Sequence, residues 1–224
     1  WIAENCTACG SCYTICPDTA IPGLVSEVTD VLDSVLGRLK RAGHELSLLP
    51  RALRQLEGKL RPALAAAPPE DSVRLLLRES IAELLEGVAD AQERSTLRAE
   101  FDLFEESLGD FQFARTRPFF TLPEKKESGS GGLLSITVNP YTCKGCMECV
   151  AVCDDDALRP VTQTRDSIAS LRDQWDLWQS LPNTPERFIR IDDIDEGIGA
   201  LDTLLLDKNN YGALASGDGA CLGC

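Results

Sequence analysis

The chain has 224 residues, 43% of them hydrophobic, which is ordinary for a globular protein. Its 36 acidic and 22 basic side chains give a formal net charge of −14, so repulsion argues against nucleic acid or an anionic membrane as a partner. No segment approaches the roughly 18 to 20 apolar residues of a membrane span, and the start of the chain lacks a secretory leader, so the sequence predicts a cytoplasmic protein.

The first cysteine motif follows WIAEN, which we predict to form a short strand. Its spacing is C-x2-C-x2-C-x3-C, with cysteines at Cys6, Cys9, Cys12 and Cys16. A tight loop with a cysteine at every third position points three thiolates at three corners of one cubane iron–sulfur cluster. Small residues such as Ala8 and Gly10 let the backbone curl this closely.

Four amphipathic segments follow, and their apolar residues recur at intervals of three and four, as on one face of a helix. These stripes cover residues 28–39, 53–64, 73–88 and 97–108. Gly43 is expected to end the first helix, and Pro50 to lie in the first turn of the second. Asp71 or Ser72 is placed to cap the third. We expect a small helical bundle that is structural or serves protein contact.

The second cysteine motif comes after KKESGSGG, residues 125–132, which we predict to be a flexible return, and after a short strand in LLSITVNP. It repeats the spacing of the first motif, with cysteines at Cys143, Cys146, Cys149 and Cys153. Alignment of the two motifs also matches Asp18 with Asp155 and Ala20 with Ala157. This internal duplication predicts two clusters. Structural zinc normally uses paired C-x2-C knuckles, and disulfides belong to small secreted domains, so both alternatives are disfavoured.

These two segments resemble the halves of a bacterial two-cluster ferredoxin. The resemblance implies that one [4Fe-4S] cluster takes Cys6, Cys9, Cys12 and Cys153, and that the other takes Cys143, Cys146, Cys149 and Cys16. One departure is that Asp154 follows Cys153, whereas Pro17 follows Cys16. A negative charge beside a cluster is expected to lower its reduction potential.

The chain closes on GDGACLGC, in which Cys221 and Cys224 form half of a metal site. Since the chain also starts at Trp1 without a methionine, we expect it to be a segment of a longer polypeptide. The tail resembles the start of the thiamine-diphosphate domain of pyruvate:ferredoxin oxidoreductases, where such a segment supplies two ligands of a third [4Fe-4S] cluster. The order of the motifs is also that of this family. Asp218, within GDG, is interpreted as a turn residue and not as a magnesium ligand.

This second resemblance implies the electron-transfer segment of a 2-oxoacid:ferredoxin oxidoreductase, with pyruvate as the expected substrate. Thiamine diphosphate and Mg would bind in the remaining domains, coenzyme A would accept the acyl group, and ferredoxin or flavodoxin would accept single electrons. The family also suggests a homodimer. The segment alone is not expected to be catalytic.

We therefore expect an α+β fold, namely a ferredoxin-like module interrupted by a helical insertion. The predicted divisions are a first ferredoxin-like half, the insertion, a linker with the second half, and a connection into the thiamine-diphosphate domain, at residues 1–24, 25–124, 125–160 and 161–224. Two alternatives stay open. One is a noncatalytic ferredoxin-like carrier or assembly subunit that docks through its bundle, and the other is a ferredoxin module of a flavin or molybdenum oxidoreductase.

Overall fold

The computed structural model describes residues 1–190, 203 and 205–215, the last three of these by backbone alone. The fold is α+β, mostly helical with one small sheet, which confirms the predicted class. The helices are α1 Ser11–Thr14, α2 Val28–Arg41, α3 Leu49–Ala66, α4 Val73–Glu86, α5 Ala91–Leu108, α6 Leu122–Lys126, α7 Glu148–Ala151, α8 Arg165–Ser180 and α9 Lys208–Ala215. The strands are β1 Gly23–Ser26 and β2 Leu133–Ile136.

Helices α2 to α5 coincide with the four predicted amphipathic segments and pack on one another around a single core. Gly43 follows α2 with a φ of 85°, and Pro50 lies in the first turn of α3, as expected. Ser72 caps α4 by accepting a hydrogen bond from the Leu75 amide at 3.2 Å. Asp90 caps α5 in the same way. The bundle follows from periodicity and local capping signals that are all present in the sequence.

The start of α3 has no cap from its own side chains and is satisfied by Glu100, which is buried on α5. The Glu100 carboxylate accepts hydrogen bonds from the amides of Ser47, Leu48 and Leu49, the last at 2.6 Å. Burial opposes ionisation of this carboxyl, but the donated hydrogen bonds outweigh it and hold its pKa below the usual range. Glu100, on α5, therefore connects α5 to α3 by accepting hydrogen bonds from N–H groups at the start of α3 that have no partner within that helix.

The two-stranded antiparallel sheet lies between the bundle and the cysteine loops, and every residue in both strands is buried. Leu24 and Leu133 face the core of the bundle, whereas Val25, Leu134 and Ile136 belong to a second core beneath the cysteine motifs. Alternation of side chains along a strand is what divides them between the two cores. The sheet is thus the layer that connects the helical insertion to the cysteine-bearing segments.

Two local predictions are wrong. WIAEN contains a 3-10 turn at Ala3–Asn5 in place of a strand, and the amides of Asn5 and Cys6 donate to the carbonyls of Ile2 and Ala3 within this turn. The two lysines of KKESGSGG end α6, and the segment is not an open linker. Its Gly129 and Gly131 amides donate to Glu124, both at 2.9 Å.

Helix α8 was not predicted and lies within residues 161–224, the stretch predicted to be a connecting segment. A capping box at Thr164 and Ser167 begins this helix. Trp175 and Trp178 stack at 4.8 Å between ring centroids and join the core of the bundle. In the part of the chain that the structure covers, no helix has both the length and the apolar character needed to cross a membrane.

Replacing Glu100 by Gln is expected to reduce the free energy of unfolding by about 1–3 kcal/mol, because buried amides lose a charged acceptor. The folded-state pKa of Glu100 is lowered, so its stabilisation is present above the ordinary glutamate pKa of about 4.3 and is lost as pH falls through the folded-state value. Urea unfolding at several pH values should show a weaker pH dependence in Glu100→Gln. The exposed Glu106 on the same helix provides the control, and equal effects of Glu106→Gln and Glu100→Gln would contradict this role.

Candidate iron–sulfur sites

The sequence duplication is repeated in the backbone, position by position. The aligned cysteines of the two motifs differ by 137 in residue number, so adding 137 to a residue of the first motif gives its equivalent in the second. Every non-glycine residue with positive φ has an equivalent in the other motif that also has positive φ. The pairs are Ala8 (67°) with Gly145 (67°), Gly10 (78°) with Met147 (69°), and Thr19 (45°) with Asp156 (52°). Left-handed backbone at non-glycine residues is costly and is retained where the surrounding structure requires it.

The short helices that contain the third cysteine of each motif, Cys12 and Cys149, are related by the same offset. Helix α1 begins after Gly10 and α7 after Met147, both in the left-handed region. Each helix starts with equivalent hydrogen bonds, from Tyr13 to Gly10 and from Val150 to Met147. The two motifs therefore have the same loop-and-helix geometry although few of their residues other than cysteine are identical.

Two backbone hydrogen bonds connect the halves reciprocally. The Ile2 amide donates to the Ala157 carbonyl at 2.8 Å, and the Asn139 amide donates to the Ala20 carbonyl at 2.7 Å. These are equivalent bonds under the offset of 137, since Ile2 corresponds to Asn139 and Ala157 to Ala20. The start of each motif is thereby fixed beside the end of the other.

The side chains between the halves are paired in the same manner. Thr7 donates to Asp155 at 2.6 Å, and the equivalent Lys144 donates to Asp18 at 2.5 Å. Helices α1 and α7 also lie against each other. The two motifs form a pseudo-symmetric pair, and the end of each motif belongs spatially to the loop of the other.

The eight cysteines of the two motifs line two separate cavities in crossed sets. We call them the first quartet, comprising Cys6, Cys9, Cys12 and Cys153, and the second quartet, comprising Cys16, Cys143, Cys146 and Cys149. These are the ligand sets that the ferredoxin resemblance implies. The eight thiols are free of disulfides. The first cavity is about 20 Å³ and the second about 540 Å³.

The thiols are crowded enough to influence one another's ionisation. Burial, followed by the charges of Cys6, Cys9, Cys149 and Cys153, raises the pKa of Cys12 to about 12. Burial also raises the pKa of Cys149, and its neighbours Cys143, Cys16 and Cys146 add to the effect. Four thiolates in such a space need a compensating cation, and a coordinating metal deprotonates a thiol. The donor set therefore fits a metal cluster, and the proximity of Cys12 to Cys149 brings the quartets next to each other.

The geometry differs from that of a site for one ion. Within the described residues, no three His, Cys, Asp or Glu side chains converge as the ligands of a single metal ion do. In a cubane the thiolates are distributed over four irons, so they need not meet at one centre. Cys221, Cys224 and Asp218 lie outside the described residues.

Two residues beside the second quartet were not found from the sequence. Asn139 uses its side chain as well as its backbone, since its amide nitrogen donates to the Tyr211 hydroxyl at 3.2 Å and its Oδ1 accepts from the Tyr141 amide. Burial raises the pKa of Tyr211, and the nearby Cys16 thiolate adds to the shift. Extending the repeat alignment by four residues would have paired Asn139 with Ile2, but no local signal indicates Tyr211.

Known proteins give no direct guide to the role of these sites. No family model, curated protein or solved structure matches this chain. Inference about function therefore depends on the residues of the two quartets and on the backbone that presents them.

Replacing Gly145 by Ala reproduces the residue of the equivalent position and is expected to reduce the free energy of unfolding by about 1–2 kcal/mol, the cost of left-handed backbone at alanine. The added methyl group meets nothing within 4 Å, so the cost is conformational. Gly58, in the middle of α3, is the matched control because it is also surrounded by open space. Gly58→Ala should stabilise the protein by about 1 kcal/mol in the same denaturation assay. Stabilisation by both substitutions would contradict the strain assigned to the loop.

Proposed function

We propose that the two quartets each hold a [4Fe-4S] cluster and that the chain transfers single electrons. The observation that carries this proposal is the crossed grouping of eight cysteines by a backbone repeat with paired left-handed residues. A fourth ligand taken from the other motif is the arrangement found in two-cluster ferredoxins. A ferredoxin-like module with a helical insertion is the finer fold that this arrangement supports.

The clusters would supply one-electron chemistry, and the chain's residues supply ligation, spacing and insulation. Cys6, Cys9 and Cys12 are presented by one loop, and Cys153 is held beside them by the bond between Ile2 and Ala157. The sheet and its second core close the inner side of both quartets to water. Single-electron transfer needs two centres close together in a fixed frame, and the interlocked halves provide that frame.

We further propose that this unit is the electron-transfer segment of a 2-oxoacid:ferredoxin oxidoreductase, with pyruvate as the substrate of the whole enzyme. The support is the order of the two motifs followed by Cys221 and Cys224, which would provide half of a third [4Fe-4S] cluster. The rest of the polypeptide would bind thiamine diphosphate, Mg and coenzyme A. Ferredoxin or flavodoxin would then take electrons from this segment, in a cytoplasmic homodimer.

A noncatalytic carrier or assembly subunit is the second candidate. The four-helix bundle favours it, because α2 to α5 have their own core and would suit docking to a partner. The two candidates share the same clusters and differ in what lies beyond Cys224. Sequencing the complete polypeptide separates them, since the oxidoreductase requires further cysteine ligands and a thiamine-diphosphate domain.

Anaerobically purified protein should contain about eight iron and eight acid-labile sulfide per chain for the two complete clusters. After reduction, electron paramagnetic resonance (EPR) should show two interacting cubane signals, because Cys12 and Cys149 place the quartets side by side. The complete polypeptide should contain about twelve iron if the third site is real. Zinc in place of iron, or no sulfide, would refute the electron-transfer function.

Single Cys→Ser substitutions test the crossing of the ligands. Cys16→Ser and Cys149→Ser should remove or alter the same cluster and leave the same remaining EPR signal, since both residues line the second cavity. Cys153→Ser and Cys12→Ser should together define the other signal. Each variant is expected to lose roughly half of the iron. If Cys16→Ser instead behaved like Cys12→Ser, the fourth ligand would come from its own motif and the crossed assignment would be wrong.

A further inference from the structure

The pseudo-symmetry of the two halves makes each quartet a reference for the other. Any equivalent pair of positions that differs in charge, burial or polarity marks a difference in how the two sites treat an added electron. Reduction adds negative charge, so nearby positive charge, water and oriented dipoles raise a cluster's reduction potential, and negative charge lowers it.

Charge is the first difference. The second cavity is lined by Lys144, Arg159 and Asp18, whereas the first is lined by Asp155. Trp1 lines both cavities, so its amino group does not distinguish them. Lys144 occupies the position equivalent to Thr7 of the first motif. Its ammonium group donates to Asp18, as the Thr7 hydroxyl donates to the equivalent Asp155. Glu148, the other charged residue of this loop, is exposed and does not line the cavity. The second quartet therefore has the more positive surroundings.

Burial is the second difference, and it acts in the same direction. All residues from Cys143 to Glu148 are exposed, while Ala8 and Gly10 at the equivalent loop are buried. The side chain of Lys144 is 75% exposed. Water therefore reaches the second quartet more readily and stabilises added negative charge there.

Polarity is the third difference. The second half has Asn139 hydrogen-bonded to Tyr211 near Cys16, where the first half has the apolar Ile2. Hydrogen bonds to ligand sulfur occur at both sites and do not separate them in this way. Cys6 accepts from the Ala8 amide and the Trp1 side chain, whereas Cys16 accepts from the Ala20 amide and Cys149 from the Val150 amide. Charge, exposure and polarity thus all favour the electron at the second quartet.

We propose that the two sites are inequivalent and that the second quartet is the electron-accepting end of the pair, with the first quartet upstream. One electron given up at the first quartet is taken up at the second, and no bond is made or broken. This inference rests on the proposed function, because it presupposes a cluster in each quartet. It adds a direction of transfer that the cysteine motifs alone do not contain.

The test is an EPR-monitored redox titration of the cluster-loaded protein, with the two signals assigned through Cys12→Ser and Cys16→Ser. The second quartet should titrate at the higher midpoint potential. Lys144→Thr should lower only the midpoint potential of the second quartet, and Thr7→Lys should raise only that of the first quartet. Each substitution is expected to change the equilibrium distribution of the electron between the two sites roughly threefold. At 59 mV for each factor of ten, this corresponds to a shift of about 28 mV. Each substitution introduces the residue found at the equivalent position of the other motif. Both are therefore expected to reduce the difference between the two midpoint potentials.

Lys40→Thr, at an exposed position on α2 in the bundle, makes the same charge change as Lys144→Thr and should move neither midpoint. Equal midpoints in the unmodified protein, or a higher midpoint at the first quartet, would overturn this inference while leaving two loaded clusters and the proposed function intact. Absence of iron and sulfide from the purified protein would instead refute the proposed function itself, so the two failures are distinguishable before any titration begins.

Discussion

The reciprocal pair of backbone hydrogen bonds, from Asn139 to Ala20 and from Ile2 to Ala157, is the constraint on which the rest of the structure depends. Each bond fixes the beginning of one cysteine motif beside the end of the other. They bring Cys16 and Cys153 among cysteines from the opposite half, and the contacts of Thr7 with Asp155 and of Lys144 with Asp18 support the same arrangement. The loops, the short helices and the side-chain pairs at Thr7 and Lys144 all repeat around this connection.

The helical insertion is compatible with that constraint because the sheet separates it from the cysteines. Strand β1 precedes the bundle and β2 follows it, and their pairing brings the two ends of the insertion back together. Four helices can therefore be inserted between the two cysteine motifs without changing how the second motif is positioned beside the first. The bundle has its own buried core and its own capping interactions, including the carboxylate of Glu100, so it does not draw on the cysteine loops for stability.

The duplicated geometry also gives meaning to the positions where the halves differ. The charged Lys144 is replaced by Thr7 in the first motif, and Asn139, which contacts Tyr211, is replaced by the apolar Ile2. Such differences do not change which residues can ligate iron, but they change the electrostatic surroundings of each quartet. In the proposed electron-transfer function, these few substitutions would give the transfer its direction.

Spacing, periodicity and capping are local properties, so the duplicated cysteine motifs and the four amphipathic helices could be predicted from the sequence. The same is true of the cap at Ser72 and of Pro50 in the first turn of α3. Strand β1 was not predicted because it depends on pairing with the remote strand β2. The local capping box of α8 was overlooked, and WIAEN was misassigned although its 3-10 turn is held by local hydrogen bonds. The division of the eight thiols between two crossed cavities, and the approach of Tyr211 to Cys16, depend on contacts between segments that are remote in the chain. A motif states which atoms are available for ligation, whereas hydrogen bonds between remote segments decide which of them come together.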